Sequence, residues 1–133
     1  MRRTPSTPPA SPRLLVLDDE DAILMPLAHF FREMGYTVVT AREPEEAEAL
    51  LDHQAFDLVI LDLALTRFGI EGLEVLRSIR ARSPWLPVII LSAHVSPEVE
   101  SEARGLNVDA ILAKPQPLRE LARVASSVLG LER

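Results

Sequence analysis

The sequence predicts an α/β domain in which a five-stranded parallel sheet is doubly wound, with helices on both faces. From Arg13 onward, short apolar runs alternate with stretches of helical periodicity, the βα pattern of a parallel sheet. The runs Leu14 to Leu17, Leu58 to Leu61 and Val88 to Leu91 are apolar at every position, whereas a strand with one wet face would alternate. Three of the runs end in Asp18-Asp19, Asp62 and Lys114-Pro115. The C-terminal ends of parallel strands share one edge, so these distant residues are expected to meet in one pocket.

Residues 1 to 12 hold Pro5, Pro8, Pro9 and Pro12 among Ser and Thr and are expected to form a flexible tail, with the folded domain running from 13 to 133. The first strand is Leu14 to Leu17. The helix after it, about Ala22 to Met34, is read with Ile23, Leu27, Phe30 and Met34 on its inner face and Gly35 as its stop. Pro26 is placed in or near its first turn, where few amides have intrahelical partners, so a slightly irregular start is expected. Thr37 to Thr40 is the second strand, and Pro44, a good first helical residue, opens a helix to His53. Leu58 to Leu61 is the third strand. The third helix, about Gly72 to Arg82, turns Leu73, Leu76 and Ile79 inward, and Pro84 and Pro87 bracket the turn into Val88 to Leu91. The fourth helix, about Pro97 to Leu106, is the least apolar and stops at Asn107, which tolerates the left-handed conformation. Ala110 to Ala113 is the last strand. The last helix, about Pro117 to Leu129, carries Leu118, Leu121, Ala122, Ala125 and Leu129 on one stripe.

With 133 residues, 47% of them hydrophobic and 26% charged, the chain fits one domain able to bury a core, without room for a second, output domain. A net charge of -6 argues against a phosphate-backbone footprint, so direct nucleic-acid binding is not expected. No apolar stretch is long enough to span a bilayer and no signal-peptide pattern opens the chain, so a cytoplasmic protein without membrane insertion is expected. The absence of cysteine removes disulfides, thiolate metal sites and thiol catalysis.

Gathered at one edge, the carboxylates of Asp18, Asp19 and Asp62 would repel one another until a cation relieved them. All-oxygen ligands suit a hard divalent ion such as Mg²⁺ or Mn²⁺, and the lack of cysteine or a histidine pair argues against zinc. A carboxylate is a competent nucleophile toward phosphorus once a metal neutralises the incoming group. Lys114 supplies a flexible ammonium and Ser92 a hydroxyl at the same edge. Taken singly, each Asp reads as a turn residue, Lys114 as a solvated charge and Ser92 as a strand-end hydroxyl; only their joint placement carries a site. His29, His53 and His94 receive no role, and Glu45, Glu46 and Glu48 read as a wet helix face.

The series LLVLDDED, LVILDLAL, VIILSAH and ILAKP, in this order and spacing, resembles the receiver domain of bacterial two-component response regulators over about Arg13 to Leu129. The resemblance implies a flavodoxin-like (βα)5 fold and a phosphoacceptor at Asp62, charged by a sensor histidine kinase or a histidine phosphotransfer protein. It implies Mg²⁺ held directly by Asp19, Asp62 and the backbone carbonyl of Ala64, with Asp18 acting mainly through a metal-bound water. Ser92 would be the switch hydroxyl, Lys114 would pair with the phosphoryl group, and the bond before Pro115 would be cis. A downstream protein would read the surface made by helix four, strand five and helix five.

Two departures from the family pattern stand out. Ile111 lies where most receivers carry the aromatic residue that reports phosphorylation. The loop after Asp62 has Thr66 and Ile70 where the family usually has proline and glycine, and it reaches its glycine only at Gly72, so it reads as two residues longer. Ala64, Thr66, Arg67 and Phe68 are expected to overhang the site and alter phosphoryl lifetime; unchanged autodephosphorylation after shortening the loop would refute this.

The main alternative is a pseudo-receiver, the same fold acting as a constitutive interaction module; the intact acidic cluster and lysine weigh against it. An enzyme is not expected. A haloacid-dehalogenase-type phosphatase would want a second Asp two positions after its nucleophile, whereas Asp62 is followed there by Ala64 and Asp18 by Glu20. A flavin carrier fails because Asp18 to Asp21 would repel a phosphate.

Overall fold

A computed structural model describes residues 10–63 and 71–131. Five βα units follow one another: β1 (Arg13–Leu17), α1 (Asp21–Glu33), β2 (Thr37–Ala41), α2 (Pro44–His53), β3 (Leu58–Leu61), α3 (Glu71–Arg82), β4 (Val88–Ser92), α4 (Pro97–Gly105), β5 (Ala110–Ala113) and α5 (Leu118–Leu129). All strand pairs are parallel, in the order β2-β1-β3-β4-β5. No helix among the described residues is long and apolar enough to cross a membrane.

Continuous apolar strands make sense because successive side chains point to opposite faces and both faces are covered. Leu14 and Val16 of β1, Leu58 and Ile60 of β3, and Ile89 and Leu91 of β4 pack against Leu24 and Phe31 of α1 and Leu121 and Ala125 of α5. Leu15, Leu17, Val59, Leu61, Val88 and Ile90 face the other way, onto Ala47 of α2, Leu73, Leu76 and Ile79 of α3, and Ala103 of α4. Gly35, at φ +100°, turns the chain out of α1, and Asn107, at φ +60°, does the same after α4.

Three local expectations are corrected. The buried stripe of α1 is Leu24, Leu27, Ala28 and Phe31, while Ile23 and Phe30 are half-buried and Met34 is 48% exposed. Both stripes have helical spacing, so periodicity identifies the helix without fixing its rotation. The edge-on packing of Phe31 on Tyr36, ring centroids 4.9 Å apart, seats the observed face. Pro26 lies beyond the first turn, because α1 begins at Asp21; lacking an N–H, it leaves the Ala22 carbonyl without its helical donor. Glu48 does not simply face water: it accepts from Ser78 Oγ at 2.8 Å and pairs with Arg82 at 2.9 Å, tying α2 to α3.

Only Ala103 of α4 is fully buried, in keeping with its polar sequence. Its N-terminus is capped by Ser96 Oγ, which accepts from the Val99 amide. Its far end is held by Arg80, which donates to the Leu106 carbonyl at 2.6 Å and the Asn107 carbonyl at 3.1 Å.

Candidate functional site

The chain winds outward from β1 to β2 and then crosses back to β3, so the connections leaving β1 and β3 diverge and open a crevice at the C-terminal strand edge. Asp18 follows β1 and Asp62 follows β3, on the two sides of that crevice. The sheet pattern extends one residue beyond several strands and fixes these backbones. The Asp18 amide donates to the Ala41 carbonyl at 3.1 Å, the Asp62 amide to Leu17 at 3.1 Å, and the Lys114 amide to Ser92 at 3.0 Å.

Four side chains expected from the sequence to converge here are in contact. Ser92 Oγ donates to Asp62 Oδ1 at 2.8 Å, and Lys114 Nζ donates to Asp62 Oδ2 at 3.0 Å. The same ammonium lies 2.7 Å from Asp18 Oδ2. Asp18 Oδ1 accepts from the Glu20 amide at 3.0 Å. Asp18, Asp62 and Ser92 are buried and no more than 3% exposed, so these bonds form largely out of water, where they are stronger. The Lys114–Pro115 peptide bond is cis.

Glu20 completes the cluster, and its role was not anticipated from the sequence. Its Oε1 lies 2.9 Å from Lys114 Nζ, and one carboxylate oxygen each from Asp18, Glu20 and Asp62 gather within 4.8 Å of one another. The available signal was the acidic run itself, since Glu20 stands two residues after Asp18. Asp19, half-buried, is not among these three carboxylates. Ala64, Thr66, Arg67 and Phe68, which were expected to overhang the site, and Ile70 lie outside the described residues.

Burial pushes the Asp18 carboxyl above its ordinary range despite hydrogen bonds from Lys114 and the Glu20 amide, and the nearby Asp62 adds to the rise. Burial would by itself lower Lys114, but hydrogen bonds to Asp18, Glu20 and Asp62 prevail and hold the ammonium above its usual value. This is a set of oxygen donors whose mutual repulsion a cation relieves. The donor chemistry fits a hard divalent ion.

The family profile described as "Response regulator receiver domain" matches residues 14–126. The chain belongs to this receiver family. Its relatives include the alginate biosynthesis transcriptional regulatory protein AlgB of Pseudomonas aeruginosa, 36% identical over 121 residues, which are 91% of this chain and 26% of that protein. Transcriptional regulatory protein TcrA of Mycobacterium tuberculosis is 37% identical over 111 residues, 82% of this chain and 42% of TcrA. The chain therefore spans less than half the length of either relative. Among solved structures, a CheY-like receiver domain protein from Methanospirillum hungatei JF-1 superposes with a TM-score of 0.85 at 26% identity, covering 91% of this chain and 95% of that one. The non-phosphorylated HemR receiver domain from Leptospira biflexa gives 0.83 at 28% identity, covering 92% and 98%.

Receivers of this family are signalling modules of two-component systems in which an aspartate is phosphorylated, and their partners are histidine kinases and downstream effectors. In this receiver, Ile111 is half-buried against the core on the α2–α3–α4 side of the sheet. Ser92→Ala deletes the donor to Asp62 Oδ1 and leaves a buried carboxylate oxygen without that partner. It is expected to lower stability by about 1–3 kcal/mol, read by urea denaturation, while phosphorylation continues at a reduced rate.

Proposed function

We propose that Asp62 is the phosphoacceptor of this receiver and that Asp18, Asp19 and Asp62, with the Ala64 carbonyl, form its Mg²⁺ site. The observation that carries this reading is the meeting of Asp62 with Ser92 Oγ at 2.8 Å and Lys114 Nζ at 3.0 Å, beside Asp18 and Glu20. A carboxylate oxygen of Asp62 attacks the phosphorus of a phosphohistidine; the new O–P bond forms as the N–P bond breaks, and the imidazole leaves. When bound, Mg²⁺ supplies charge neutralisation for the phosphoryl oxygens. Ser92 and Lys114, already donating to Asp62, turn to the phosphoryl oxygens that appear there, and the burial of Asp18, Asp62 and Ser92 keeps bulk water away from the acyl phosphate.

The phosphodonor is a sensor histidine kinase or a histidine phosphotransfer protein. An apolar groove of about 180 Å³ opens beside Lys114 and Pro115, lined by Ile23, Pro26 and Leu27 of α1 and Leu118 and Leu121 of α5. A partner helix seated there would bring its histidine to the site. The output is a protein contact on the α4–β5–α5 face, with residues 13–133 forming the receiver and 1–12 its tail.

The test is incubation with acetyl phosphate with and without Mg²⁺, followed by borohydride trapping and peptide mapping. Borohydride reduces an acyl phosphate to the alcohol and releases the phosphate, so homoserine is expected in place of Asp62 in the mapped peptide, only with Mg²⁺. A label on another residue, or none on a folded protein, overturns the assignment.

A further inference from the structure

Glu20 stands at the N-cap of α1, where a short Ser, Thr, Asp or Asn would normally accept from the first-turn amides, yet its side chain makes no capping bond. It reaches across 94 positions of sequence to Lys114 Nζ at 2.9 Å. The oxygens of the two aspartates flanking the crevice are already engaged. Asp18 Oδ1 takes the Glu20 amide, Asp62 Oδ1 takes Ser92, and both Oδ2 atoms take Lys114. A divalent cation drawn to Asp18 and Asp62 therefore meets an ammonium that holds the same oxygens, and like charges so close repel. The lysine must yield to the ion and still remain near enough to meet a phosphoryl group.

We propose that Glu20 is a positioning residue that tethers the Lys114 ammonium at the mouth of the site, so that the lysine can release Asp18 and Asp62 to a divalent cation without leaving the pocket. Of the three carboxylates bonded to Lys114, Glu20 is the one suited to this: its side chain is 48% exposed, against 3% for Asp18 and 4% for Asp62. It offers a place beside the buried pair. The tether couples two cations that would otherwise only compete. The inference rests on the proposed reading of the cluster as a Mg²⁺-dependent phosphoacceptor site.

The test is Mg²⁺ titration by calorimetry on the wild type, Glu20→Gln, Lys114→Met and the double variant, with no phosphoryl donor present. Lys114→Met is expected to bind Mg²⁺ more tightly, because the competing ammonium is gone. Glu20→Gln is expected to weaken binding roughly tenfold in the wild type and no more than about twofold in the Lys114→Met background, a coupling within the usual range for contacting residues. Equal or greater weakening in the Lys114→Met background would mean that Glu20 acts on the ion directly and overturns the tether. So would the absence of any weakening in the wild type. Glu20→Asn, which can cap α1 but is too short to hold Lys114 in place, should keep the melting temperature and still weaken Mg²⁺ binding; normal affinity in it also overturns the proposal. A wild type that binds no Mg²⁺ overturns the underlying metal site as well, so the two failures are distinguishable.

Discussion

Asp62→Asn is expected to abolish the acetyl-phosphate adduct while the protein stays folded. Asparagine keeps the shape of the side chain and an oxygen that can accept from Ser92 Oγ, now 2.8 Å from Asp62 Oδ1. Its amide oxygen, however, is a poor nucleophile toward phosphorus, so labelling should fall to background in intact-mass spectra. On the other side of the group an amide nitrogen replaces the oxygen that Lys114 Nζ meets at 3.0 Å, and two donors then face each other. The ammonium retains Asp18 at 2.7 Å and Glu20 at 2.9 Å, and one carboxylate leaves a mutually repelling cluster. These effects oppose, so the change in stability is expected to stay within about 1–2 kcal/mol, in the ordinary range of single substitutions. A melting temperature raised by Mg²⁺ in the wild type should rise less in the variant, which lacks a proposed ligand. Undiminished labelling of Asp62→Asn would remove Asp62 from the centre of the reaction.

Gly72→Ala is expected to be the most damaging substitution outside the cluster. A Cβ built on Gly72 would lie 2.3 Å from the Asp62 carbonyl oxygen, 2.6 Å from Leu63 Cα and 2.8 Å from the Leu63 carbonyl oxygen. All three are backbone atoms, so no rotamer change can make room. Either the first turn of α3 withdraws or the chain leaving β3 moves, and the second response carries Asp62 with it. Forced overpacking of this kind costs about 1–3 kcal/mol and occasionally more. A displacement near 1 Å at a reacting group can cost on the order of 100-fold in rate. Chemical denaturation and the initial rate of acetyl-phosphate labelling read the two effects separately. Wild-type stability together with a wild-type rate would show that the contact between α3 and the segment leaving β3 is not close.

Much of this architecture was legible because a strand covered on both faces must be apolar at every position. That constraint marked β3 and β4 as short unbroken runs ending in Asp62 and Ser92. Helix α2 was legible to its limits because Pro44 is a strong start signal. Helix α1 was legible in kind but not in rotation, since Ile23–Phe30 and Leu24–Phe31 are both apolar pairs at helical spacing. The order of motifs was enough to place Asp18, Asp62, Ser92 and Lys114 on one edge, because every parallel strand sends its C-terminus to the same side.

Local period and chain direction are thus enough to show which segments are strands, which helices cover them and which polar residues reach the C-terminal edge. Packing between distant elements is what turns Leu24 and Phe31 inward, draws Glu20 from a capping bond to Lys114, and lays Gly72 against the backbone of Asp62 and Leu63. The last two depend on distances of a few ångströms between residues 9 to 94 positions apart. Such distances are set by how the helices settle on the twisted sheet, and no spacing along the chain encodes them.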